Sequence, residues 1–388
     1  MKKNIKISLS LFFILFLSGC GAVMQNSIAV REDGKMAICL TSEGNYKAIT
    51  FGGKKTKTGY DIPPDRGDIY ITDTLASQLK KITNDDNPKG FMQWAKDGQR
   101  LLYLESYASN SYVLKLINED GTNGRTLLEK REIHFPILSP DGKRVAYFSK
   151  LEKGPDASSA LYALDVASGK SKRISSKAFA SLIYPTVVWL DNERVVALEV
   201  RSDEIDNAFK AALVIIDMQG QSFELARGFF YSEAFLFGLL KEKGILLFNA
   251  LDMANLGAKG NRLKMLKVRS YDFSNRKVSA PPEFDGYIMV NTWTIPSECV
   301  LVKRDSASVI DDVVDSLSSA KEGKEALAFS NATPLPVKLF GYPFLIGKDE
   351  TGYIHPEMNE ADFSSIWFAK KDGSSKESFT DKVKEKLK

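Results

Sequence analysis

Of the 388 residues only three are cysteine and two are histidine. That scarcity removes two kinds of chemistry, because a disulfide-stapled scaffold needs paired cysteines and a zinc centre needs three or four clustered nitrogen or sulfur ligands. Cys39 and Cys299 stand far apart inside apolar runs and read as small buried side chains, a long-range bridge between them being the alternative. His134 and His355 have no matching ligands near them in sequence, so no metal and no cofactor is expected. No basic tract interleaved with aromatics is present, which leaves nucleic-acid binding without its electrostatic footprint. A G-x-S-x-G nucleophile elbow is missing too, and with it the sequence mark of a serine hydrolase. Beyond residue 20 no apolar run reaches the 18 residues that would span a bilayer.

What is present begins at the first residues. Lys2, Lys3 and Lys6 precede an apolar run from Ile7 to Leu17 that ends in Leu17, Ser18, Gly19, Cys20. A positive n-region, a short apolar stretch and small residues before a cut are what an export signal needs, and the run is too short to cross a membrane. The ending resembles the lipobox of bacterial lipoproteins. That resemblance implies a signal peptide at 1–19, a diacylglyceryl group on Cys20 and a mature amino end held at a bilayer by acyl chains. Gly21 stands where an aspartate would favour inner-membrane retention, so the resemblance points to the outer membrane, facing the periplasm. Loss of the three lysines brings the formal charge from +4 to about +1, a nearly neutral mature chain.

The mature chain repeats. Its clearest copy runs Phe135, Pro136, Ile137, Leu138, Ser139, Pro140, Asp141, Gly142, Lys143, Arg144, Val145, Ala146, Tyr147, Phe148, followed by Leu161 to Asp165 and then Ser168, Gly169. Asp-Gly between apolar runs is a hairpin signal, so the unit reads strand, turn, strand, loop, strand, turn, strand. Worn copies turn at Asp33, Asp97, Asp191, Lys243, Pro296 and Asp349, giving steps of 64, 44, 50, 52, 53 and 53 residues. Periods of roughly this size belong to propeller blades. A four-stranded sheet with apolar faces cannot bury them alone, and radial stacking of neighbours supplies the core. The expected fold is all-β: a β-propeller of four-stranded antiparallel blades over 20–380, seven in number, with a charged tail at 381–388 that frays. The sixth unit is the least regular. Its first strand is placed at Trp293 and Ile295, its third at Ala326 to Ser330, and Val309, Ile310, Val313, Val314 and Leu317 lie at helical spacing between them; a malformed sixth unit would leave six blades.

The stretch Leu138, Ser139, Pro140, Asp141, Gly142, Lys143, Arg144 resembles the repeat of TolB-type propellers, which prolyl-oligopeptidase relatives share. That resemblance implies architecture over most of the mature chain. It does not carry a hydrolase, for which the chain has no room, and the α/β domain ahead of TolB's own propeller has no counterpart here.

Several local features were weighed as sites. His134 opens the first strand of the third unit, which in a propeller lines the axial channel. Asn118 to Gly124 is oxygen-rich but lacks the distal glutamate of a helical calcium loop, and reads as a β-turn. Gly52, Gly53 and Gly59 around Lys54, Lys55 and Lys57 lack the order of a phosphate loop. With Lys47 and Arg66 those lysines make the insertion from Ser42 to Gly67 the most basic segment, read as a solvated loop or a contact with anionic head groups. The sequence therefore assigns lipidation to Cys20, no catalytic, cofactor or metal residues, and a role as a non-catalytic cell-envelope scaffold for a protein or envelope polymer. The alternatives are a propeller enzyme of lyase or glycan-hydrolase type with carboxylates at the channel, and an assembly factor of an envelope complex.

Overall fold

A computed structural model describes residues 23–387 apart from 26–27, 32, 41–48, 52–53, 57–58, 62–66, 74, 86, 108–110, 131–132, 151–158, 177–186, 206–207, 232–236, 241–243, 252–265, 283–284, 286, 292–298, 304–323, 329–332, 338–343, 347–351, 360–361 and 371–375. Among these residues the chain forms seven four-stranded antiparallel sheets, each in the simple order first, second, third, fourth. The first comprises Ile28–Val30, Met36–Leu40, Asp68–Thr72 and Lys80–Lys81. The second comprises Lys89–Trp94, Arg100–Tyr107, Ser111–Asn118 and Arg125–Lys130, and the third His134–Leu138, Arg144–Lys150, Ser159–Asp165 and Ser171–Ser175. The fourth has Val187–Trp189, Arg194–Ile205, Ala208–Asp217 and Ser222–Tyr231, and the fifth Phe237–Leu240, Ile245–Leu251, Leu266–Asp272 and Lys277–Ser279. Tyr287–Asn291, Cys299–Lys303, Lys324–Ala328 and Thr333–Val337 form the sixth, and Phe344–Ile346, Gly352–Asn359, Asp362–Lys370 and Lys376–Ser378 the seventh.

Among the described residues, the second strands of the first four sheets are buried on both sides. In Met36–Leu40, Met36, Ile38 and Leu40 enter one apolar cluster while Ala37 and Cys39 enter the next. Leu101 and Tyr103 face the first sheet, whereas Leu102 and Leu104 face the third. Val195 and Ala197 pack back onto the third sheet, and Val196 and Leu198 forward onto Leu246 and Phe248 of the fifth. Alternation of side chains across a strand makes this possible, and burial on both faces explains why these strands read as unbroken apolar runs. Fully burying a side chain of this size contributes about 1.5–3 kcal/mol.

The strand order also fixes two faces. First-to-second and third-to-fourth turns lie together on one, and second-to-third links and sheet-to-sheet connections on the other. The amino end enters from the connection face. There Val23–Gln25 pairs with Ile49–Phe51, and Lys54–Thr56 pairs with Gly59–Asp61 in a hairpin, so strands run through the insertion expected to be a loop.

The sixth sheet departs from the sequence expectation. Its first strand is Tyr287–Asn291, with Asn291 opposite Cys299, not the segment around Trp293 and Ile295. The continuous β-branched and apolar run Tyr287 to Val290 suits a strand. The third strand begins two residues early, at Lys324. The helical spacing at Val309 to Leu317 lies outside the described residues.

The tail does not fray. Phe379–Leu387 is a helix whose start is capped by Ser378, the Asp381 N–H donating to Ser378 Oγ at 3.2 Å, with Asp381 in the first turn and Lys384 and Lys386 in the last. Phe379 and Val383 are buried against Ile28, Met36, Ile38, Leu40, Tyr70 and Ala76, so the helix that follows the seventh sheet packs on the first. The charge pattern hid two core residues among lysines. Phe379→Ala is expected to cost about 3–5 kcal/mol in chemical denaturation, as for a buried phenylalanine elsewhere, whereas a frayed end would leave the midpoint unmoved.

Candidate functional site: the cleft between the fourth and fifth sheets

On the turn face the junctions between the first and second, second and third, and third and fourth sheets are closed by recurring contacts. Arg31 donates to the Gly98 carbonyl and to Glu119 Oε2 at 2.8 Å, and its guanidinium lies 5.3 Å from the Trp94 ring centroid. Arg144 Nη1 donates to the Asn192 carbonyl at 2.8 Å and pairs with Glu193 at 2.7 Å. Between the second and third sheets, Arg100 Nη2 lies 3.2 Å from where a Cβ on Gly142 would stand. Deeper in, the Trp94 indole donates to the Ala29 carbonyl and the Trp189 indole to the Ile137 carbonyl, at 3.1 and 2.8 Å. Arg31 also holds Asp33 by a hydrogen bond that takes this carboxyl from 3.8 down to about 2.

The third-to-fourth turns share one backbone motif. The N–H of a positive-φ residue closes the turn onto the carbonyl of an Asp or Asn three or four residues before it: Ala76 onto Asp73, Gly121 onto Asn118, Gly169 onto Asp165, Gly220 onto Asp217, Arg276 onto Asp272. At Gly121, Gly169 and Gly220 the missing side chain matters for contact as well as for φ. A Cβ there would meet the carbonyls of Ile82, Leu127 and Ile174 of the preceding sheet at 3.3, 3.4 and 3.0 Å. The preceding sheet's outer strand thus lies directly on the turn glycine.

The fifth sheet differs from the three before it. Arg276 stands where they have glycine and where the first sheet has Ala76, at a φ of 56°, a region that costs an L-residue about 1–2 kcal/mol. A Cβ on Gly244 in the same sheet's first turn would meet no atom within 4 Å. Arg194, the counterpart of Arg100 and Arg144, is held by its own turn, Nε donating to Asp191 Oδ2 at 2.7 Å, as Arg100 Nε does to Asp97 Oδ2. The result is an open cleft of about 860 Å³, within the range of ligand sites. Leu190, Ile215, Tyr271, Phe273 and Phe223 supply apolar surface; Tyr271 and Phe273 pack edge to face at 5.2 Å, and Phe223 is 52% exposed.

The acidic groups of the cleft are already engaged. Asp217 Oδ1 accepts the N–H of Gln219 and of Gln221 at 2.9 and 2.8 Å. Burial alone would push the Asp191 carboxyl up, but Arg194 and the Glu193 N–H outweigh it and hold it below its ordinary value. An ionised, paired carboxylate is a poor proton carrier. Arg276, by contrast, makes no side-chain hydrogen bond or ion pair among the described residues, and it is exposed.

Comparison with known proteins places this geometry. No family model matches the chain. A stretch of 153 residues, 39% of the chain, is 29% identical to the Tol-Pal system protein TolB of Dechloromonas aromatica, and covers 32% of that protein's length. Over that stretch the sequence is similar to TolB, and the fold is that of a β-propeller. Solved propellers agree on the fold: the β-propeller domain of the trilobed protease of Pyrococcus furiosus has a TM-score of 0.53 at 10% identity, covering 92% of this chain and 97% of that one. Acylaminoacyl peptidase of Pyrococcus horikoshii has a TM-score of 0.56 at 10% identity, with 92% and 52% covered.

The residues singled out in the sequence fall elsewhere in this propeller. Cys20 lies outside the described residues. His134 starts the innermost strand of the third sheet, half-buried and 6.5 Å from the Tyr112 ring, on the face opposite the cleft. His355 lies in Gly352–Asn359, opposite Trp367 in register. Cys39 is wholly buried, and Cys299 opens a strand of the sixth sheet, which is not a neighbour of the first. Asn118 to Thr122 is a closed turn in which Asp120 Oδ1 accepts the Thr122 N–H and hydroxyl. Sequence reading missed Phe223 and Arg276; aligning Asp165 to Gly169 with Asp272 to Arg276 is the signal that shows an arginine in a glycine's place.

Arg276→Gly is expected to raise unfolding stability by on the order of 1 kcal/mol, measured by urea denaturation, and Gly220→Arg to lower it by more. The Asp33 contribution has its own window. Because its folded value lies below its ordinary 3.8, that stability is complete above about pH 4 and is lost as pH falls towards 2. Removing the partner with Arg31→Ala should flatten the acid limb of the urea midpoint across that interval.

Proposed function

We propose that the chain is a lipid-anchored, non-catalytic scaffold of the bacterial cell envelope, in which the seven sheets close into a seven-bladed ring and the turn face is offered to a protein partner. The observation that carries this reading is the open junction between the fourth and fifth sheets, whose carboxylates are tied into turns and whose apolar surface stays accessible. Similarity to TolB over part of the chain supports an envelope setting and a protein partner.

Topology supports an orientation. Val23–Gln25 pairs with Ile49–Phe51 on the connection face and Cys20 precedes it in sequence, so acyl chains on Cys20 would hold that face towards the bilayer and turn the cleft away from it. A single acyl chain binds marginally and two or more hold durably. The outer membrane, facing the periplasm, is the address that Gly21 after the cysteine favours. The helix Phe379–Leu387 would then act as the clasp between seventh and first blades.

Two measurements test the proposal. Mass spectrometry of the mature amino end should find Cys20 acylated, and Cys20→Ser should move the protein to the soluble fraction. A photoreactive amino acid in place of Lys96 or Lys143, both on turn-face loops, should cross-link in intact cells to one discrete partner. An unmodified terminus, or cross-links to no partner from any turn-face position, would contradict the reading.

A further inference from the structure

We propose that the cleft between the fourth and fifth sheets binds an extended peptide segment of a partner, one that places a carboxylate beside a bulky apolar side chain. This deepens the scaffold reading and rests on it.

Three observations converge on that occupant. Arg276 keeps a left-handed backbone at a turn position where Gly121, Gly169 and Gly220 lie directly under the preceding sheet, and it is exposed and lines the cleft. A strained residue that a glycine would relieve is a reason to look for a role in binding. The guanidinium is also the cation of the cleft without a partner, since Arg194 is taken by Asp191. A planar fork of this kind suits a carboxylate, which it can grip through two parallel hydrogen bonds. Beside it, Phe223 is half exposed against a wall of Phe273, Tyr271, Leu190 and Ile215, a seat for an aromatic or branched side chain. Neighbouring ladders end at this place: Ser222 begins the outer strand of the fourth sheet and Lys277 that of the fifth, so a bound segment would run between two sheet ends.

The experiment is selection from a random octapeptide library displayed on beads, against detergent-solubilised full-length protein, followed by fluorescence polarisation of the selected peptides. Enriched sequences should carry aspartate or glutamate next to phenylalanine, tryptophan or leucine. Arg276→Gly, which restores the turn residue used elsewhere and so keeps the fold, should weaken them at least tenfold, and Arg276→Lys should recover part of the affinity. Phe223→Ala should weaken the same peptides without changing their charge preference. Enrichment of basic or uncharged sequences, enrichment that survives both Arg276→Gly and Phe223→Ala, or no enrichment would overturn the proposal. If turn-face cross-links from Lys96 or Lys143 persist in cells while the library result is negative, the scaffold reading stands and only the assignment of the cleft falls.

Discussion

The structure depends on a sheet having two apolar faces that it cannot bury alone, as the first four sheets show among the described residues. Val195 and Ala197 belong to one core, and Val196 and Leu198, their neighbours along the same strand, to the next. A strand built this way has no solvent side, so a sheet is stable only between two others. The chain satisfies that demand by repetition along most of its length. At its end the helix Phe379–Leu387 adds Phe379 and Val383 to the face of the first sheet that the second sheet does not cover.

Given that constraint, variation is confined to the ends of the strands. The deep contacts between fourth and fifth sheets are as apolar as the others, with Val188, Val196, Leu198, Leu246, Phe248 and Tyr271 in one cluster. Only the turn end of that junction opens. The local difference is at position 276, where an exposed arginine stands in place of the glycine that lies under the preceding sheet in the second, third and fourth sheets. A cleft opened this way leaves the core intact, which is how a binding site can be added to a repeat fold without losing the fold.

Much of the architecture was legible in the sequence. The turns at Asp33, Asp97, Asp141 and Asp191 sit between first and second strands as the Asp-Gly and Asp-Asn pairs implied, since residues tolerant of left-handed backbone mark tight turns. The TolB-type repeat around Leu138 to Arg144 matches a propeller in fact. The sixth sheet was misplaced because Trp293 and Ile295 looked like a strand while the longer run Tyr287 to Val290 lay just before them. The segment 381–388 reads as charged and frayed because one buried residue, Val383, among four lysines makes no visible pattern at that length, and its partner Phe379 lies just before it. The cleft could not be read directly, for it comes from the distance between two sheets. Its signal was relative: Arg276 is unremarkable until the fifth unit is laid over the third.

The central claim is that consecutive sheets return to their starting point. Spin labels placed on the turn face can decide it through pulsed dipolar distance measurement, with one label at Leu75 in the first sheet and the other at Gln219 in the fourth or Lys370 in the seventh. A closed ring predicts the shorter distance for the pair Leu75 and Lys370, although far more chain separates those residues. A distance from Leu75 that grows from the fourth sheet to the seventh would show an open stack and contradict the account.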